Sequence, residues 1–339
     1  MCSMRRSELT VDLGALRRNV ARLRSAADGA ELWAVVKADG YGHGGADSAR
    51  AATAAGATAL CVATVGEGLP LREALPDQRI VVLSPTDEVR QARQARLELV
   101  IGSGAIPEDV PVHVKLDTGM GRYGFAELPP LPPNVVGLMT HLATAELDTA
   151  FAERQLARFR EATADAELPR HVANSAATLR LPSSRFDAVR CGIALYGLSP
   201  FGTDPRDDGL EPVLSWRSEL AQVKRLAPGE STGYDREFVA GRETWIGIVP
   251  VGYADGFRRD LTGTEVLVDG RRCRAVGVVS MDSFAVELAG PAEPGTPVTL
   301  IGDGILAEEH ARHAGTIAYE IATGLRATPE RVVRRVLDA

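Results

Sequence analysis

Between residues 32 and 193 the sequence alternates short apolar runs with segments of helical character. The apolar runs lie at 32–36, 59–63, 79–83, 98–101, 112–116, 135–139, 171–173 and 188–193. Runs of this length with helices between most of them are typical of parallel strands that are covered by helices. We therefore predict an α/β fold with an N-terminal (β/α)8 barrel, although the pattern alone also fits an open sheet.

The character of the sequence changes after residue 196. Residues 197–212 are rich in Gly, Pro and Asp, and beyond them short runs rich in Val, Ile and Thr are separated by turns. This texture predicts a second, mostly β domain. We place the barrel in residues 1–212 and the β domain in 213–339, with residues 1–10 able to join the latter. Thr10 is the predicted N-cap of the first helix, and a helix rich in Arg and Val is predicted at the C-terminus.

Composition and charge narrow the class of protein. The chain has 339 residues, 45% of them hydrophobic, and a formal net charge of −7 without any basic run, which argues against nucleic-acid binding. No apolar stretch is long enough to span a membrane, and the N-terminus lacks a signal-peptide pattern. Cys2, Cys61, Cys191 and Cys273 show no CxxC spacing, so we expect reduced thiols, no metal site and a cytoplasmic location.

Residues 32–44 combine an apolar run with a lysine and a glycine-rich turn. The sequence LWAVVKADGYGHG predicts a buried strand that delivers Lys37 to its C-terminal end. A buried ammonium is costly and its pKa falls, which makes Lys37 a candidate amine nucleophile or base. The alternative is a lysine that only extends its charge to solvent at a strand end.

Other polar side chains also follow predicted barrel strands, where the chemistry of such barrels is concentrated. They are Lys115 at the end of the fifth run with Asp117 and Arg122 after it, His141 after the sixth, His171, Asn174 and Ser175 at the seventh, and Arg190 within the eighth. Each also has a structural explanation: a buried Lys115–Asp117 ion pair, a structural histidine, or Ser175 as a helix cap.

Taken together, these segments resemble the alanine racemases, which are fold-type III pyridoxal phosphate enzymes. The matching motifs occur in the order of the family and read AVVKADGYGHG, KLDTGMGR, THLATAE, HVANSAATLR, VRCGIALYGL, GYADG and SMD. The resemblance extends from about Leu9 to Val336.

The resemblance implies a two-base racemase that acts on alanine. Lys37 would bind pyridoxal phosphate covalently and serve as base on one face of the substrate, and Tyr234 of the neighbouring subunit would serve on the other. Because a phenol titrates near ~10, Tyr234 needs a cationic partner. His141, hydrogen-bonded to Tyr234 and Arg190 in the family, would fill that role. Arg190 would contact the cofactor ring nitrogen.

The resemblance assigns further residues around the cofactor and the substrate. Cofactor contacts would come from Tyr41, His171, Asn174, Ser175, Gly192, Ile193 and Tyr319. Substrate contacts would come from Arg122, Tyr253, Met281 and Asp282. Lys115 matches a lysine that is carbamylated in several members.

The leading function is therefore the interconversion of L- and D-alanine in a homodimer, which would supply D-alanine for peptidoglycan precursors or serve its catabolism. The alternatives are a racemase of another small amino acid such as serine, a decarboxylase of the same fold, or a non-catalytic pyridoxal phosphate-binding protein. A decarboxylase would be expected to place a glutamate at the ring nitrogen, where this chain has Arg190. The non-catalytic proteins lack the β domain.

Overall fold

The computed structural model describes residues 6–338. The chain divides into two compact units. One contains Gly14–Glu211, and the other joins the chain up to Leu13 to the chain from Pro212 onward. Cys2, one of the predicted free thiols, lies outside the described residues, whereas Cys61, Cys191 and Cys273 are free and buried. No helix within residues 6–338 has the length and apolar character that crossing a membrane requires.

The unit Gly14–Glu211 is a closed barrel of eight parallel strands in sequential order, which confirms the predicted (β/α)8 fold. Strand β1 (Ser7–Asp12) belongs to the other unit. The barrel strands are β2 (Glu31–Val35), β3 (Ala59–Val62), β4 (Arg79–Val82), β5 (Glu98–Ile101), β6 (Val112–Lys115), β7 (Val135–Met139), β8 (Arg170–His171) and β9 (Ala188–Cys191). Strand β9 pairs with β2, which closes the sheet.

Helical segments connect most of the barrel strands. They are α1 (Leu13–Ala27), α2 (Lys37–Tyr41), α3 (Gly45–Ala54), α4 (Val65–Ala74), α5 (Val89–Gln94), α6 (Thr149–Ala162) and α7 (Ser175–Arg180), with 3₁₀ turns at Pro182–Ser184, Ile193–Tyr196 and Pro205–Asp208. Thr64 and Asp148 cap α4 and α6 through their side chains. Because the chain leaves each barrel strand at the same end, the side chains that follow the strands converge there.

The remaining unit is mostly β. Its main sheet has the order β11-β14-β17-β16-β15-β18-β10-β1-β19. The strands are β10 (Leu214–Glu219), β11 (Gln222–Leu226), β12 (Ser231–Thr232), β13 (Phe238–Val239), β14 (Thr244–Val249), β15 (Glu265–Val268), β16 (Arg271–Val276), β17 (Phe284–Leu288), β18 (Pro297–Ile301) and β19 (Val332–Leu337). Helices α8 (Ala307–His313) and α9 (Ala318–Thr323) and 3₁₀ turns at Tyr234–Arg236 and Arg259–Leu261 complete it.

One predicted helix cap and one predicted helix are wrong. Thr10 lies inside strand β1 rather than at a helix N-cap, because Ser7–Asp12 alternates buried and half-buried residues and pairs with β10 and β19. The predicted C-terminal helix is strand β19, which runs parallel to β1. Its Val-Val-Arg-Arg-Val-Leu sequence is rich in β-branched residues, and this preference prevails when a partner strand is present.

Candidate active site

The chain makes a left-handed turn directly after Lys37. Ala38, Asp39, Gly40 and Tyr41 all have φ between 51° and 63°. A left-handed conformation costs about 1–2 kcal/mol for each residue that carries a Cβ, and three of these four do. The glycine-rich turn predicted from sequence is therefore a strained segment, of the kind that structures retain where function requires it.

Two carboxylates stabilise this turn. The Asp39 Oδ1 atom accepts a hydrogen bond from the backbone N–H of Gly45 at 2.6 Å. The Glu67 Oε1 atom accepts from the N–H of Ala38 at 2.8 Å, and its Oε2 atom accepts from the N–H of Ala63 at 2.7 Å. Glu67 thus ties the turn after Lys37 to the end of the neighbouring strand β3 and offsets part of the strain.

Lys37 is partly buried at the mouth of the barrel. Burial and the nearby positive charge of Arg122 lower the pKa of its amine, and Glu67 partly opposes this shift. A lowered pKa increases the fraction of neutral amine, which is the form that attacks a carbonyl or accepts a proton. Lys37 therefore has the properties of a nucleophile or a base.

Arg190 is buried in strand β9 and anchored by the neighbouring strands. Its Nη1 donates to the backbone oxygen of His171 at 2.6 Å and to His171 Nδ1 at 2.9 Å. Its Nη2 donates to the backbone oxygens of Thr140 at 3.0 Å and Val172 at 3.2 Å, and to His141 Nδ1 at 3.3 Å. Burial lowers the Arg190 pKa to about 10, so the guanidinium stays charged at neutral pH.

These contacts leave one guanidinium donor for a ligand. Within residues 6–338 the structure assigns acceptors to both terminal nitrogens of Arg190 but none to its Nε–H. A guanidinium only donates hydrogen bonds, so an acceptor such as a heteroaromatic nitrogen is the partner that the Nε–H suits.

His141 is neutral in this setting. Burial and the positive charges of Arg190 and Arg122 lower its pKa to about 3. Since His141 Nδ1 accepts from Arg190, its proton belongs on Nε2. The role of His141 as the cationic partner of Tyr234 stays a prediction, and neighbouring cations make a second positive charge beside Arg190 costly. In the structure the cation of the His141–Arg190 pair is Arg190.

Polar groups gather beside strand β9 in an arrangement that we call the phosphate cradle. The Ser175 Oγ atom accepts from the backbone N–H groups of Gly192 at 3.0 Å and Ala194 at 3.4 Å. A Cβ atom at Gly192 would lie 2.4 Å from the Tyr41 Oη atom, so any larger residue there would have to displace the tyrosine. The Tyr41 and Ser175 hydroxyls thus lie beside the backbone N–H groups of Gly192 and Ala194, which donate to Ser175 in this structure, and together they form a group of the kind that binds phosphate.

Asn174 caps the helix that Ser175 begins. Its Oδ1 atom accepts from the N–H of Ala177 at 2.9 Å, and its Nδ2 atom donates to Glu146 at 3.4 Å. Asn174, and not Ser175, is thus the N-cap of α7. The Ser175 hydroxyl therefore does not cap the helix and instead accepts from the Gly192 N–H, so its role in cofactor binding stays a prediction.

Lys115 and Arg122 lie near the same strand ends. Lys115 is 2% exposed, donates to the backbone oxygen of Tyr123, and has a pKa lowered to about 8 by burial and by Arg122 and Arg190. Asp117 does not pair with it through a hydrogen bond. Its carboxylate accepts from the backbone N–H groups of 119–121 instead.

The predicted substrate residues of the β unit lie on its surface. Tyr234, in a 3₁₀ turn, is 67% exposed, and Tyr253 and Met281 are also exposed. Asp282 accepts a hydrogen bond from Arg331 at 2.9 Å. Tyr319 is half-buried in α9 of this unit, so its assignment to the cofactor phosphate stays a prediction.

Comparisons with known proteins identify the family. The family model for the N-terminal domain of alanine racemase matches residues 11–200, and that for the C-terminal domain matches residues 213–333. An alanine racemase of Streptomyces coelicolor is 42% identical, with 96% of this chain and 95% of that protein covered. The chain belongs to the alanine racemase family. This makes it a member of an isomerase family.

Other alanine racemases extend the comparison to solved structures. Alanine racemase 1 of Bacillus subtilis is 38% identical over 97% of this chain and 92% of its own length. The crystal structure of the biosynthetic alanine racemase from Pseudomonas aeruginosa has a TM-score of 0.91 at 36% identity and covers 99% of this chain and 100% of its own. The S. coelicolor structure has a TM-score of 0.90 at 39% identity, with 98% of both chains covered.

Pyridoxal phosphate, the cofactor that this family implies, fits the residues of the barrel. It needs donors for a phosphate, an amine to bind its aldehyde and a partner for its ring nitrogen. The cradle at Tyr41, Ser175 and Gly192, the Lys37 amine and the Arg190 Nε–H provide all three. The donor set thus suits the group without any change of residue.

Some residues that build this alanine racemase site carry no clear signal in the sequence. The spacing of Thr64 and Glu67 is typical of a capping box, in which the Glu67 side chain would accept from the backbone N–H of Thr64. Half of this box is present, because Thr64 Oγ1 accepts from the N–H of Glu67 at 3.2 Å. The Glu67 side chain instead supports the turn after Lys37. Glu98 and His113 read as ordinary strand residues, yet they contact the groups behind Arg190. Such contacts join residues of different strands, so they become visible only once the strands are arranged in the closed barrel.

Proposed function

We propose that this chain is a pyridoxal phosphate-dependent racemase that interconverts L- and D-alanine in a homodimer. The observation that supports this best is one juxtaposition at the barrel mouth. Three groups occupy the neighbouring ends of β2 and β9. They are the Lys37 amine of lowered pKa, the phosphate cradle at Gly192 and the buried Arg190 cation. Full-length relatives that are named alanine racemases share 35–42% sequence identity with this chain, which supports alanine as the substrate.

When bound, pyridoxal phosphate makes the α-proton of an amino acid removable by drawing the remaining electron pair into its ring. Arg190 limits this effect. A guanidinium holds its protons, so Arg190 would donate a hydrogen bond to the ring nitrogen without giving up a proton. We infer that the ring would then be a weaker electron acceptor, which favours return of a proton to the α-carbon over the breaking of another bond.

Inversion requires one base on each face of the α-carbon. Lys37 supplies the first, since burial and the charge of Arg122 lower the pKa of its amine and so raise the fraction of neutral amine that can accept a proton. The partner subunit's Tyr234 supplies the second. His141 receives a hydrogen bond from Arg190 at Nδ1, so its Nε2–H is available to donate to the phenolate oxygen of that tyrosine.

A homodimer with shared sites is supported by exposed groups on the β unit. Tyr234, Tyr253 and Met281 are apolar or aromatic side chains on the surface of this unit, where a second subunit can cover them. We assign Tyr253, Met281 and Asp282 of the partner subunit to the substrate entrance. Arg122 would bind the substrate carboxylate, and its charge already acts on Lys37 and His141.

We further propose that the enzyme works in the cytoplasm and supplies D-alanine, a building block of peptidoglycan precursors. Three buried free cysteines, Cys61, Cys191 and Cys273, agree with a reducing compartment.

The decisive experiment measures α-proton exchange in deuterated water across a panel of L-amino acids, with chiral separation of the products. We expect cofactor-loaded enzyme to exchange the α-proton of alanine fastest and to form D-alanine. Faster exchange with serine would change the substrate assignment. Release of carbon dioxide, or bound cofactor without exchange of any amino acid, would contradict racemisation.

A further inference from the structure

A chain of buried polar side chains runs behind Arg190 along the inside of the barrel. His171 Nε2 lies 3.0 Å from His113 Nδ1, and His113 Nε2 lies 2.7 Å from Glu98 Oε2. Arg79 binds the same carboxylate with its Nε at 2.8 and 2.9 Å. The contacts thus connect Arg190 in β9 to the first residue of β5. We call Glu98, His113 and His171 the relay.

The relay has only one consistent direction of hydrogen bonding. Arg190 can only donate, so His171 Nδ1 must accept and the proton of His171 belongs on Nε2. That N–H then donates to His113 Nδ1, which places the proton of His113 on Nε2. His113 finally donates to the Glu98 carboxylate, which in its ionised form has acceptor oxygens and no donor.

Electrostatics favour this arrangement. Burial lowers the pKa of both His113 and His171, so each ring carries one proton. The hydrogen bonds from His113 and Arg79 lower the pKa of Glu98 against the effect of its burial, which keeps the carboxylate ionised. The relay therefore ends in a negative charge at Glu98, and its other end, His171, accepts a hydrogen bond from the Arg190 cation.

The packing around the relay holds it in place. The Trp33 ring lies against His171 with a centroid distance of 4.3 Å, and the Arg79 guanidinium lies over the same indole at 4.7 Å. In β7, Gly137 is paired with His113, and a Cβ atom there would lie 2.4 Å from His113 Nδ1. The glycine leaves the space through which His113 reaches past β7 to His171.

We propose that Glu98 is a positioning residue that acts through His113 and His171 to set their tautomers and hold the Arg190 guanidinium with its Nε–H toward the cofactor ring nitrogen. In the opposite tautomer, His171 would direct an Nδ1–H at an N–H of Arg190, and the repulsion would turn the guanidinium away. This inference rests on the proposed function.

The test compares variants of Glu98 and of Gly137, which lies against His113, in cofactor-loaded enzyme. Glu98→Leu removes the terminal acceptor, Glu98→Gln retains an acceptor oxygen without the charge, and Gly137→Ala displaces His113 without removing a polar group. Val114→Ala, a buried apolar change next to His113 on the other face of β6, serves as the control for lost packing.

The readouts are the ¹⁵N resonances of the histidine rings, the visible absorbance of the bound cofactor, and kcat and KM for alanine. We expect Glu98→Leu and Gly137→Ala to convert His171 to mixed tautomers and to alter the absorbance of the cofactor. Both should lower kcat by about 10- to 100-fold with little change in KM, the range found when residues that orient metal-binding histidines are replaced. Glu98→Gln should recover part of each loss.

Wild-type tautomers and kcat in Glu98→Leu and Gly137→Ala would overturn the proposal. So would equal losses in Val114→Ala, because the relay would then contribute only packing. If wild-type enzyme fails to exchange the α-proton of alanine, the proposed function fails. The histidine resonances still decide whether Glu98 sets the tautomers.

Discussion

Lys37 is one of only three lysines in the chain, and the other two are Lys115 and Lys224. Lys37 and Lys115 lie at the barrel mouth, where burial and neighbouring cations lower the pKa of both. Lys224 is exposed on strand β11. The scarcity of lysine makes each amine individually testable.

Replacing Lys37 by alanine should remove the covalent link to the cofactor and one of the two bases. We expect the visible absorbance of the lysine-bound cofactor to disappear and racemisation to fall by about 10²- to 10⁴-fold or more. Absorbance spectra and chiral product analysis measure this, with Lys224→Ala as the control. Retained absorbance and activity in Lys37→Ala would contradict its role.

Tyr234→Phe should affect the two directions unequally. The phenol serves one face of the substrate, so we expect exchange of the α-proton from L-alanine to fall by about 10²- to 10⁴-fold and that from D-alanine far less. The measurement is proton exchange in deuterated water from each enantiomer. Equal losses in both directions would be evidence against one base on each face.

Lys115 should react with carbon dioxide. A pKa of about 8 leaves roughly a tenth of its amine neutral at pH 7, and only the neutral amine can form a carbamate. The resulting anion would relieve repulsion with Arg122. ¹³C NMR in labelled bicarbonate should show a carbamate signal that Lys115→Gln lacks, and its absence at pH 8 would argue for an unmodified amine.

The turn after Lys37 and the segment after β9 show which parts of the site can be predicted from local sequence. Lys37 and Ser175 stand out in the sequence because they follow apolar runs, and Arg190 stands out because it lies within one. Gly192 was assigned only through the resemblance to the alanine racemases. The tautomer and charge of His141 were not predictable, because they depend on cations from other strands. For the same reason Ser7–Asp12 was misread, since a short amphipathic segment next to a helix becomes a strand only when β10 and β19 flank it.

The cradle beside β9 should be sensitive to a single methyl group. In Gly192→Ala the new Cβ would lie 2.4 Å from Tyr41 Oη and must displace it. We expect cofactor affinity to fall by about 10-fold or more, the equivalent of about 1.4 kcal/mol, as one phosphate donor is lost. Titration with pyridoxal phosphate measures this. Gly66→Ala is the control, since its nearest neighbour lies 3.8 Å away.

The two units contribute different parts of the chemistry. The barrel unit holds Lys37, Arg190 and the phosphate cradle, and the β unit presents Tyr234 on its surface. The division into barrel and β regions was readable from the change of sequence texture after residue 196. Which tyrosine serves which site was not, because sequence texture carries no information about a second copy of the chain.

Mixing two inactive variants tests whether sites are shared between subunits. Lys37→Ala and Tyr234→Phe each disable both sites of a homodimer, but a hybrid of the two contains one intact site. Random pairing of equal amounts should therefore restore about a quarter of wild-type activity. Each variant refolded alone is the control. A monomer with full activity, or no recovery after mixing, would refute the shared arrangement.

The placement of the lysines has a practical consequence for attaching the enzyme to a support. Lys115 is buried, and Lys37 would be occupied in the cofactor-loaded enzyme, whereas Lys224 is exposed on β11 at the margin of the sheet. Apart from the terminal amine, an amine-reactive resin should therefore couple through this one side chain. Such immobilisation would present every molecule in nearly the same orientation.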